Sequence, residues 1–127
     1  MNRVGNQKVE GIQMNAPVAA GELIEKTNMV ALNESGYLVK ATKKEGLTVV
    51  GIATDNADNR MGNDGDEVVS FKSGGFVFKQ EGIKSTDLMK TAYIKDSETV
   101  TTESVSSSAV GKIIEVEDTH ATVLIQP

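Results

Sequence analysis

With 127 residues, 39% of them hydrophobic, the chain suits one small domain in which both halves share a single core. Cysteine is absent and no stretch approaches the ~18 to 20 consecutive apolar residues of a membrane span, which excludes disulfides, thiol catalysis and a helical membrane anchor. The net charge of −5, the absence of Trp and the lack of a Lys/Arg stripe argue against direct binding to nucleic acid.

The first residues lack the features of a secretory signal. Arg3 and Lys8 are basic, but no apolar stretch follows them, so we expect synthesis in a cytoplasm. Residues 1–15 also show no strong hydrophobic period. We predict that they form an extended N-terminal arm, which orders against a neighbour, and that residues 16–127 form a single β-domain.

From about Gly21 onward, most segments alternate apolar and polar residues with a period of two, and Val, Ile, Thr and Ser are frequent. This pattern predicts an all-β fold, a small barrel or a sandwich. The Asn-Glu-Ser-Gly sequence at 33–36 predicts a tight turn. Helix signals are weak throughout, and residues 85–90 suit at most a short capped turn.

An internal repeat organises the chain. The strand-like segments of residues 21–71 recur in the same order in residues 87–125. Because the spacing between the copies changes only across segments that look like loops, we predict two similar strand sets with different connections. The matched positions are Leu23 and Leu88 (88 − 23 = 65), Gly51 and Gly111 (111 − 51 = 60), and Phe71 and Ile125 (125 − 71 = 54).

A hairpin is predicted near the middle of the chain. In residues 67–72, Val69 and Phe71 share a face, and residues 76–79 place two Phe side chains together. The Ser-Gly-Gly sequence at 73–75 between them is typical of a hairpin turn. We therefore expect these segments to be two paired strands that carry the aromatic centre of the core.

A second hairpin is predicted near the C-terminus. Val110, Ile114 and Val116 fall on one face of a strand-like segment, and residues 117–120 then turn the chain into the last strand at 121–125. The end of the chain should therefore be tied into the sheet.

The candidate catalytic residues are few. A hydrolase needs a nucleophile with a nearby base, and the single histidine, His120, falls in a predicted surface turn. Ser106, Ser107 and Ser108 lie in a low-complexity loop that looks flexible and lacks a G-x-S-x-G setting, which indicates a linker. We expect a protein that is not an enzyme and has no catalytic or cofactor-binding residues.

Residues 55–66 form an acidic segment that could suit a hard cation such as Ca²⁺. The spacing does not match a calcium loop, and the same residue types are the ones that turns prefer. We predict no metal site and no cofactor, although the sequence leaves open whether this segment binds a cation. Its oxygen-bearing side chains are those of Asp55, Asp58, Asn59, Asn63, Asp64 and Asp66.

Several segments, in their order along the chain, carry a family likeness. They are residues 16–24 (Ala-Pro-Val-Ala-Ala-Gly-Glu-Leu-Ile), 30–32 (Val-Ala-Leu), 49–53 (Val-Val-Gly-Ile-Ala), 65–74 (Gly-Asp-Glu-Val-Val-Ser-Phe-Lys-Ser-Gly), 111–114 (Gly-Lys-Ile-Ile) and 122–125 (Thr-Val-Leu-Ile). In this order they resemble the tailed-phage capsid cement family, the small head decoration proteins. The likeness covers most of the chain from about Ala16 onward.

The resemblance implies a barrel-like structural protein, made in the host cytoplasm, that binds the exterior of an icosahedral head in the virion and stabilises it. It implies the major capsid protein as partner, a homotrimer at local three-fold positions, no active site, and no nucleic-acid or membrane partner. Residues 1–15 are expected to contact the capsid or a neighbouring subunit. The chain departs from the family in its long acidic loop at 55–66 and in the Lys43-Lys44 turn, so loop contacts and oligomeric state stay open.

Two other functions remain as alternatives. The first is another β-domain of the virion, in a tail or fibre, although a fibre ordinarily shows longer repeats or a helical stalk. The second is a soluble ligand-binding β-barrel, which would need a pocket with converging polar groups.

Overall fold

A computed structural model describes residues 10–126, and it shows a small single domain that is 51% strand and 3% helix, so the predicted all-β class is confirmed. A short 3₁₀ helix (Ser85–Asp87) lies where a capped turn was predicted, and no described helix has the length and apolar character to cross a membrane. The strands are β1 (Glu10–Pro17), β2 (Leu23–Ile24), β3 (Met29–Leu32), β4 (Leu38–Lys40), β5 (Thr48–Ala53), β6 (Ala57–Asp58), β7 (Val68–Glu81), β8 (Thr91–Ile94), β9 (Thr99–Thr101), β10 (Ala109–Val116) and β11 (His120–Ile125).

Five strands close into a barrel in the C-terminal half of the domain. Going round it, the second half of β7 pairs with β11, β11 with β10, β10 with β8, β8 with β9, and β9 returns to β7. The pairs are antiparallel except β7 with β9, which run parallel from Lys79 opposite Thr99 to Glu81 opposite Thr101. We call this unit the C-terminal barrel.

The N-terminal half repeats this cyclic order. The first half of β7 pairs with β5, β5 with β3, and β3 with β4. β1 also pairs with the first half of β7. Val18, directly after β1, forms a parallel bridge to Leu38 at the start of β4, which closes the circuit. In both halves the closing strand is antiparallel to one neighbour and parallel to the other. We call this unit the N-terminal ring.

A matching irregularity marks equivalent positions in the two halves. Gly51 lies opposite Val30 while Val49 lies opposite Ala31, so one residue of β5 is extra. In β10, Gly111 and Ala109 lie opposite neighbouring residues of β8 in the same way. Each ladder therefore contains a β-bulge beside its glycine, as expected for a repeated structural unit.

The two glycines also meet the next strand closely. A Cβ atom added to Gly51 would lie 2.1 Å from the carbonyl oxygen of Lys72, and one added to Gly111 would lie 2.0 Å from that of Leu124. The predicted match of Gly51 with Gly111 therefore agrees with their pairing. The predicted match of Phe71 with Ile125 is wrong by two residues. Phe71 lies opposite Ala53 of β5, and the residue of β11 that lies at the same position against β10 is Val123 (123 − 71 = 52).

The hairpin predicted at 73–75 is wrong, because β7 runs without interruption from Val68 to Glu81. Val69 and Phe71 bury one face of this strand in the N-terminal ring, whereas Phe78 buries the opposite face in the C-terminal barrel. The change of buried face takes place across the Ser-Gly-Gly sequence. At this point the buried residues move from one face of the strand to the other, and this change was mistaken for a turn of the chain.

The domain contains two hydrophobic clusters rather than the single core expected. β3 shows the reason: Met29 and Ala31 belong to the larger cluster and Val30 to the smaller, so both faces of the strand are covered. The larger cluster fills the C-terminal barrel and extends onto the N-terminal ring, with Phe78, Ile94, Val100, Ile113, Val123 and Ile125 among its members. The smaller lies within the N-terminal ring and includes Val18, Ile24, Leu38, Val69 and Phe71.

The predicted turn at 33–36 and the predicted C-terminal hairpin are both confirmed. At 33–36, the Gly36 N–H donates to the Asn33 carbonyl at 2.9 Å, and Gly36 has φ 87, which glycine adopts readily. β10 and β11 form the predicted C-terminal hairpin. The predicted face of β10 is wrong at Ile114, however: Val110 is buried and Val116 packs against the larger cluster as expected, but Ile113 is buried and Ile114 is exposed, because the bulge at Gly111 shifts the alternation by one residue.

The predicted arm at 1–15 divides differently in the structure. Residues 1–9 lie outside the described residues. Residues 10–15 belong to β1, which pairs with β7 from Glu10 opposite Gly74 to Pro17 opposite Val68. The expected boundary between an arm and the domain at residue 15 therefore falls inside a strand of the N-terminal ring.

Candidate functional site

The acidic loop, residues 55–66, overlaps β6 and leads toward β7. Asn59, only 2% exposed, holds it in place. Its Nδ2 atom donates to the carbonyl oxygens of Val18 and Ala19, both at 3.1 Å, and to that of Asn63 at 2.9 Å. These bonds fasten the loop to the segment that follows β1, so its conformation is part of the fold.

The carboxylates of the acidic loop accept hydrogen bonds from separate donors. Asp64 accepts from the Ala20 N–H at 2.8 Å, and Asp66 accepts from the Asn63 N–H at 2.9 Å. Asp55 accepts from the N–H of the next residue. Among the described residues, no group of three or more His, Cys, Asp or Glu side chains is arranged to hold a metal ion. The structure thus gives these carboxylates turn-forming contacts and does not bring them together.

Asp58 and Arg60 form the strongest charged pair of the loop. The guanidinium donates from Nε to Oδ1 at 2.9 Å and from Nη2 to Oδ2 at 2.8 Å. These side-chain bonds, with a further bond from the Arg60 N–H, lower the pKa of Asp58 from 3.8 to about 2. Both side chains are exposed, so the pair orders the loop surface and adds little to stability.

Met61 lies next to this pair and is 99% exposed. Single exposed apolar residues are common on protein surfaces. Here the exposed side chain lies two residues after Asn59, which is anchored in the fold, so the loop presents it at a defined position. A rigid loop with an apolar side chain at its surface is suited to contact with another macromolecule.

His120 is the first residue of β11 and lies opposite Lys79, rather than inside a turn as predicted. Its Nδ1 atom lies 2.7 Å from the Thr119 hydroxyl. The ring borders a shallow open groove of about 260 Å³, and no serine lines this groove. Its lining residues are Thr27, Ile52, Val77, Phe78, Lys79, Glu98 and His120.

The three serines at 106–108 do not form the flexible linker that was expected. Ser107 and Ser108 are buried, and the Ser107 hydroxyl donates to the Ile94 carbonyl at 2.6 Å. The Ser108 hydroxyl donates to the Lys44 carbonyl at 2.7 Å and accepts from the Leu47 N–H at 3.0 Å. Ser108 therefore joins the C-terminal barrel to a loop of the N-terminal ring.

Sequence reasoning missed two features of this surface. Asn59 looked like one turn former among several, because its burial depends on residues 18 and 19 folding over it from a distant part of the chain. Met61 gave no periodic signal at all. The only sign in the sequence that Met61 would be exposed was its place in a loop, between a charged residue and a glycine.

Comparison with family models, curated proteins and solved structures found no match to this chain.

Proposed function

We propose that this protein is a capsid decoration protein, which binds the outer surface of a tailed-phage head and stabilises the shell. The observation that carries the proposal is the pair of linked circuits, the N-terminal ring and the C-terminal barrel, which make a compact body with the acidic loop fixed to its surface. The resemblance of residues 16–125 to the capsid cement family supports the same role. The partner would be the major capsid protein, at the exterior of the virion.

The physical demands of such a role agree with the chain. A cement protein accumulates at high concentration before it binds, and a net charge of −5 favours the dispersed state. Three linked copies would bind a lattice more tightly than one, because the second and third contacts become intramolecular. We therefore include a trimer at local three-fold positions in the proposal.

The ligand-binding alternative is less well supported by the interior of the barrel. Ile94, Val100 and Val123 are fully buried there and fill the space between the strands. A barrel that holds a ligand needs a concave site with a few converging polar groups. The groove beside His120 is open and shallow instead, so decoration is the better explanation of this architecture.

Sedimentation with purified phage fractions tests the proposal. The protein is mixed with undecorated heads and, separately, with a tail fraction, and each mixture is pelleted. We expect saturable co-sedimentation with heads alone and greater resistance of the heads to rupture on heating. Binding to tails alone would select the tail or fibre alternative, and binding to neither would refute the proposal.

The contribution of the N-terminal segment is tested by a deletion that spares strand β1. Because Glu10–Pro17 is strand β1, removal of residues 1–15 would also damage the fold. Deletion of residues 2–9 leaves β1 intact. We expect reduced occupancy on heads with an unchanged melting temperature, and unchanged occupancy would reject the contact role of this segment.

A further inference from the structure

One dipeptide of the acidic loop combines two residue types that occur together nowhere else in the chain. Asp64 is followed by Gly65, and no other Asp or Asn of the sequence precedes a glycine. An aspartate before glycine can isomerise, because glycine has no Cβ atom to keep its backbone nitrogen away from the preceding carboxyl group. By sequence, Asp64 is therefore the aspartate most susceptible to this reaction.

The isomerisation needs only the chain and water. The backbone nitrogen of Gly65 attacks Cγ of the protonated Asp64 carboxyl group, an N–C bond forms, and the carboxyl hydroxyl and the amide hydrogen leave as water. The product is a five-membered succinimide ring. Water then opens the ring: attack at Cγ restores aspartate, whereas attack at the main-chain carbonyl carbon gives isoaspartate, whose main chain is longer by one carbon atom.

The fold engages both reacting groups in hydrogen bonds. The Gly65 N–H donates to the Val18 carbonyl at 2.9 Å, and Asp64 Oδ1 accepts from the Ala20 N–H at 2.8 Å. Both partners belong to the segment that follows β1. Ring closure requires the amide hydrogen to leave Val18 and the carboxyl group to leave Ala20, so the folded loop opposes the reaction at the nucleophile and at the electrophile.

Asn59 joins the same two segments. Its Nδ2 atom donates to the carbonyls of Val18 and Ala19 on one side and to that of Asn63, the residue before Asp64, on the other. Asn59 is 2% exposed, so water does not compete for these bonds. The position of Asp64 against the segment after β1 therefore depends on this one buried side chain.

We propose that Asp64–Gly65 is a latent self-modification site. The contacts with residues 18–20 keep Asp64 as aspartate, and opening of the acidic loop starts its conversion to isoaspartate. The product cannot restore both bonds, because the longer main chain moves the carboxylate away from Ala20 when the Gly65 N–H returns to Val18. A loop that has once reacted therefore stays detached from the segment after β1.

The inference goes beyond the proposed function. It concerns the chain alone, so it holds whether or not the protein binds a capsid, and its tests use the purified protein without heads. The modification changes neither the mass nor the number of charged groups, so it is detected by chemistry specific to isoaspartate.

The first test compares folded and unfolded protein at neutral pH over several weeks, with guanidinium chloride as the denaturant. Isoaspartate is measured by methyltransferase labelling of the tryptic peptide 61–72, which follows Arg60 and ends at Lys72. We expect its formation to be at least about tenfold slower in the folded protein, because the reaction requires local opening of the loop. Equal rates in the two states would overturn the inference.

Asp64→Glu is the control that assigns the signal. It keeps the carboxylate, but its ring would have six members and forms far more slowly. The isoaspartate of peptide 61–72 in the unfolded protein should therefore disappear in this variant. A signal that persists would place the reaction at another residue of the peptide and refute the assignment to Asp64.

The decisive test removes the anchor of the loop. Asn59→Ala should isomerise at Asp64 several-fold faster than the wild type under native conditions, while Asp96, which precedes Ser97 outside the loop, stays unchanged. Asn63→Ala is the matched control, since the side chain of Asn63 is exposed and makes no hydrogen bond within residues 10–126. A folded Asn59→Ala protein that reacts no faster than the wild type would overturn the inference.

A measurement on the wild type decides the matter if Asn59→Ala unfolds and both aspartates react. Hydrogen exchange of the Gly65 amide reports the opening of its bond to Val18 directly. The factor by which folding slows isomerisation should match the protection of this amide. A strongly protected Gly65 amide beside an Asp64 that isomerises at the unfolded rate would contradict the proposal.

Discussion

The N-terminal ring and the C-terminal barrel share a cyclic strand order but close it by different means. The barrel closes with a parallel ladder of three residue pairs between β7 and β9. The ring closes with the single bridge between Val18 and Leu38, and it gains the small β2–β6 sheet and the acidic loop. The strand order is therefore common to both halves, whereas the added segments distinguish them.

This difference shows where one half has room to vary. In the ring, the connection between β5 and β7 contains β6 and the acidic loop, while the equivalent connection between β10 and β11 is a tight turn closed by a bond from the Glu117 N–H to the His120 carbonyl. The long connection contains the acidic loop, which exposes Met61 at the surface. Loops on a rigid scaffold are the usual place for such features.

The largest expected effect tests whether the two halves unfold as one unit. Phe71→Ala and Phe78→Ala alter the same strand on opposite faces, one in each hydrophobic cluster. Each should lower the free energy of unfolding by about 3 to 5 kcal/mol, because each leaves a cavity in a packed cluster. Chemical denaturation should show a single transition in both variants, since β7 belongs to both halves.

A control for this comparison is Val77→Ala, which shortens a 65% exposed side chain of the same strand and should change the stability little. Two separate transitions in Phe71→Ala, with one at the wild-type position, would show that the barrel folds without the ring.

The two bulge glycines give the second test of equivalence. Gly51→Ala and Gly111→Ala should each lower the free energy of unfolding by about 2 to 3 kcal/mol, because the new methyl group meets a backbone carbonyl that cannot move freely. Gly51 should be the more sensitive of the two, since its φ of 157 is also unfavourable for alanine.

Gly82→Ala measures the cost of backbone strain without a steric contact of the new methyl group. This residue has φ 78, but an added Cβ would meet no atom within 4 Å, so only backbone strain of about 1 to 2 kcal/mol is expected. Thermal denaturation of the three variants should rank them in this order. A Gly111→Ala variant as stable as the wild type would show that the two bulges are not equivalent.

The third test concerns the contact between the halves. Ser108→Ala removes a hydroxyl that satisfies both the Lys44 carbonyl and the Leu47 N–H, so a loss of about 1 to 3 kcal/mol is expected. Ser107→Ala is the matched change within the barrel and loses only the bond to Ile94. Hydrogen exchange should show faster exchange at the Leu47 amide in Ser108→Ala only, and equal exchange in both variants would contradict the bridging role.

The smallest expected effect is a dependence on pH. Bonds from Arg60 lower the pKa of Asp58 to about 2, and the bond from Lys43 lowers the pKa of Glu103. A lowered pKa means that each pair stabilises the fold above the ordinary pKa and loses this effect as the pH falls through the folded value. The first pair lies within the acidic loop, and the second joins the two halves.

Melting temperatures of Arg60→Ala and the wild type should therefore differ slightly near neutral pH and converge as the pH approaches about 2. Lys43→Ala should behave similarly, and Lys44→Ala is the neighbouring control. A difference for Arg60→Ala that grows as the pH falls would show that the pair does not stabilise the folded loop.

The repeat and the all-β class could be predicted because they depend on local patterns. Alternation of period two survives in almost every strand, and the Val-Gly pair recurs at 50–51 and 110–111 because both bulges need a glycine against the next strand. The tight turn at 33–36 was likewise visible, since Asn33 and Gly36 have the conformations and bonds that such turns require.

The errors came from relations between distant residues. The alternation across Ser73 reads the same whether the chain turns back or one strand passes from one cluster to another, so the sequence could not distinguish a hairpin from β7. Ile114 was misplaced because a single extra residue at the bulge exchanges the two faces of a strand. Asn59 and Ser108 are buried by segments more than 40 residues away in the chain.

The uninterrupted course of β7 has a mechanical consequence. One extended backbone serves as a wall strand of the N-terminal ring and then of the C-terminal barrel, with no linker about which the two units could rotate. A pulling force applied to either unit therefore passes into the other along covalent bonds, and a protease that cut near Ser73 would remove the covalent link between the ring and the barrel.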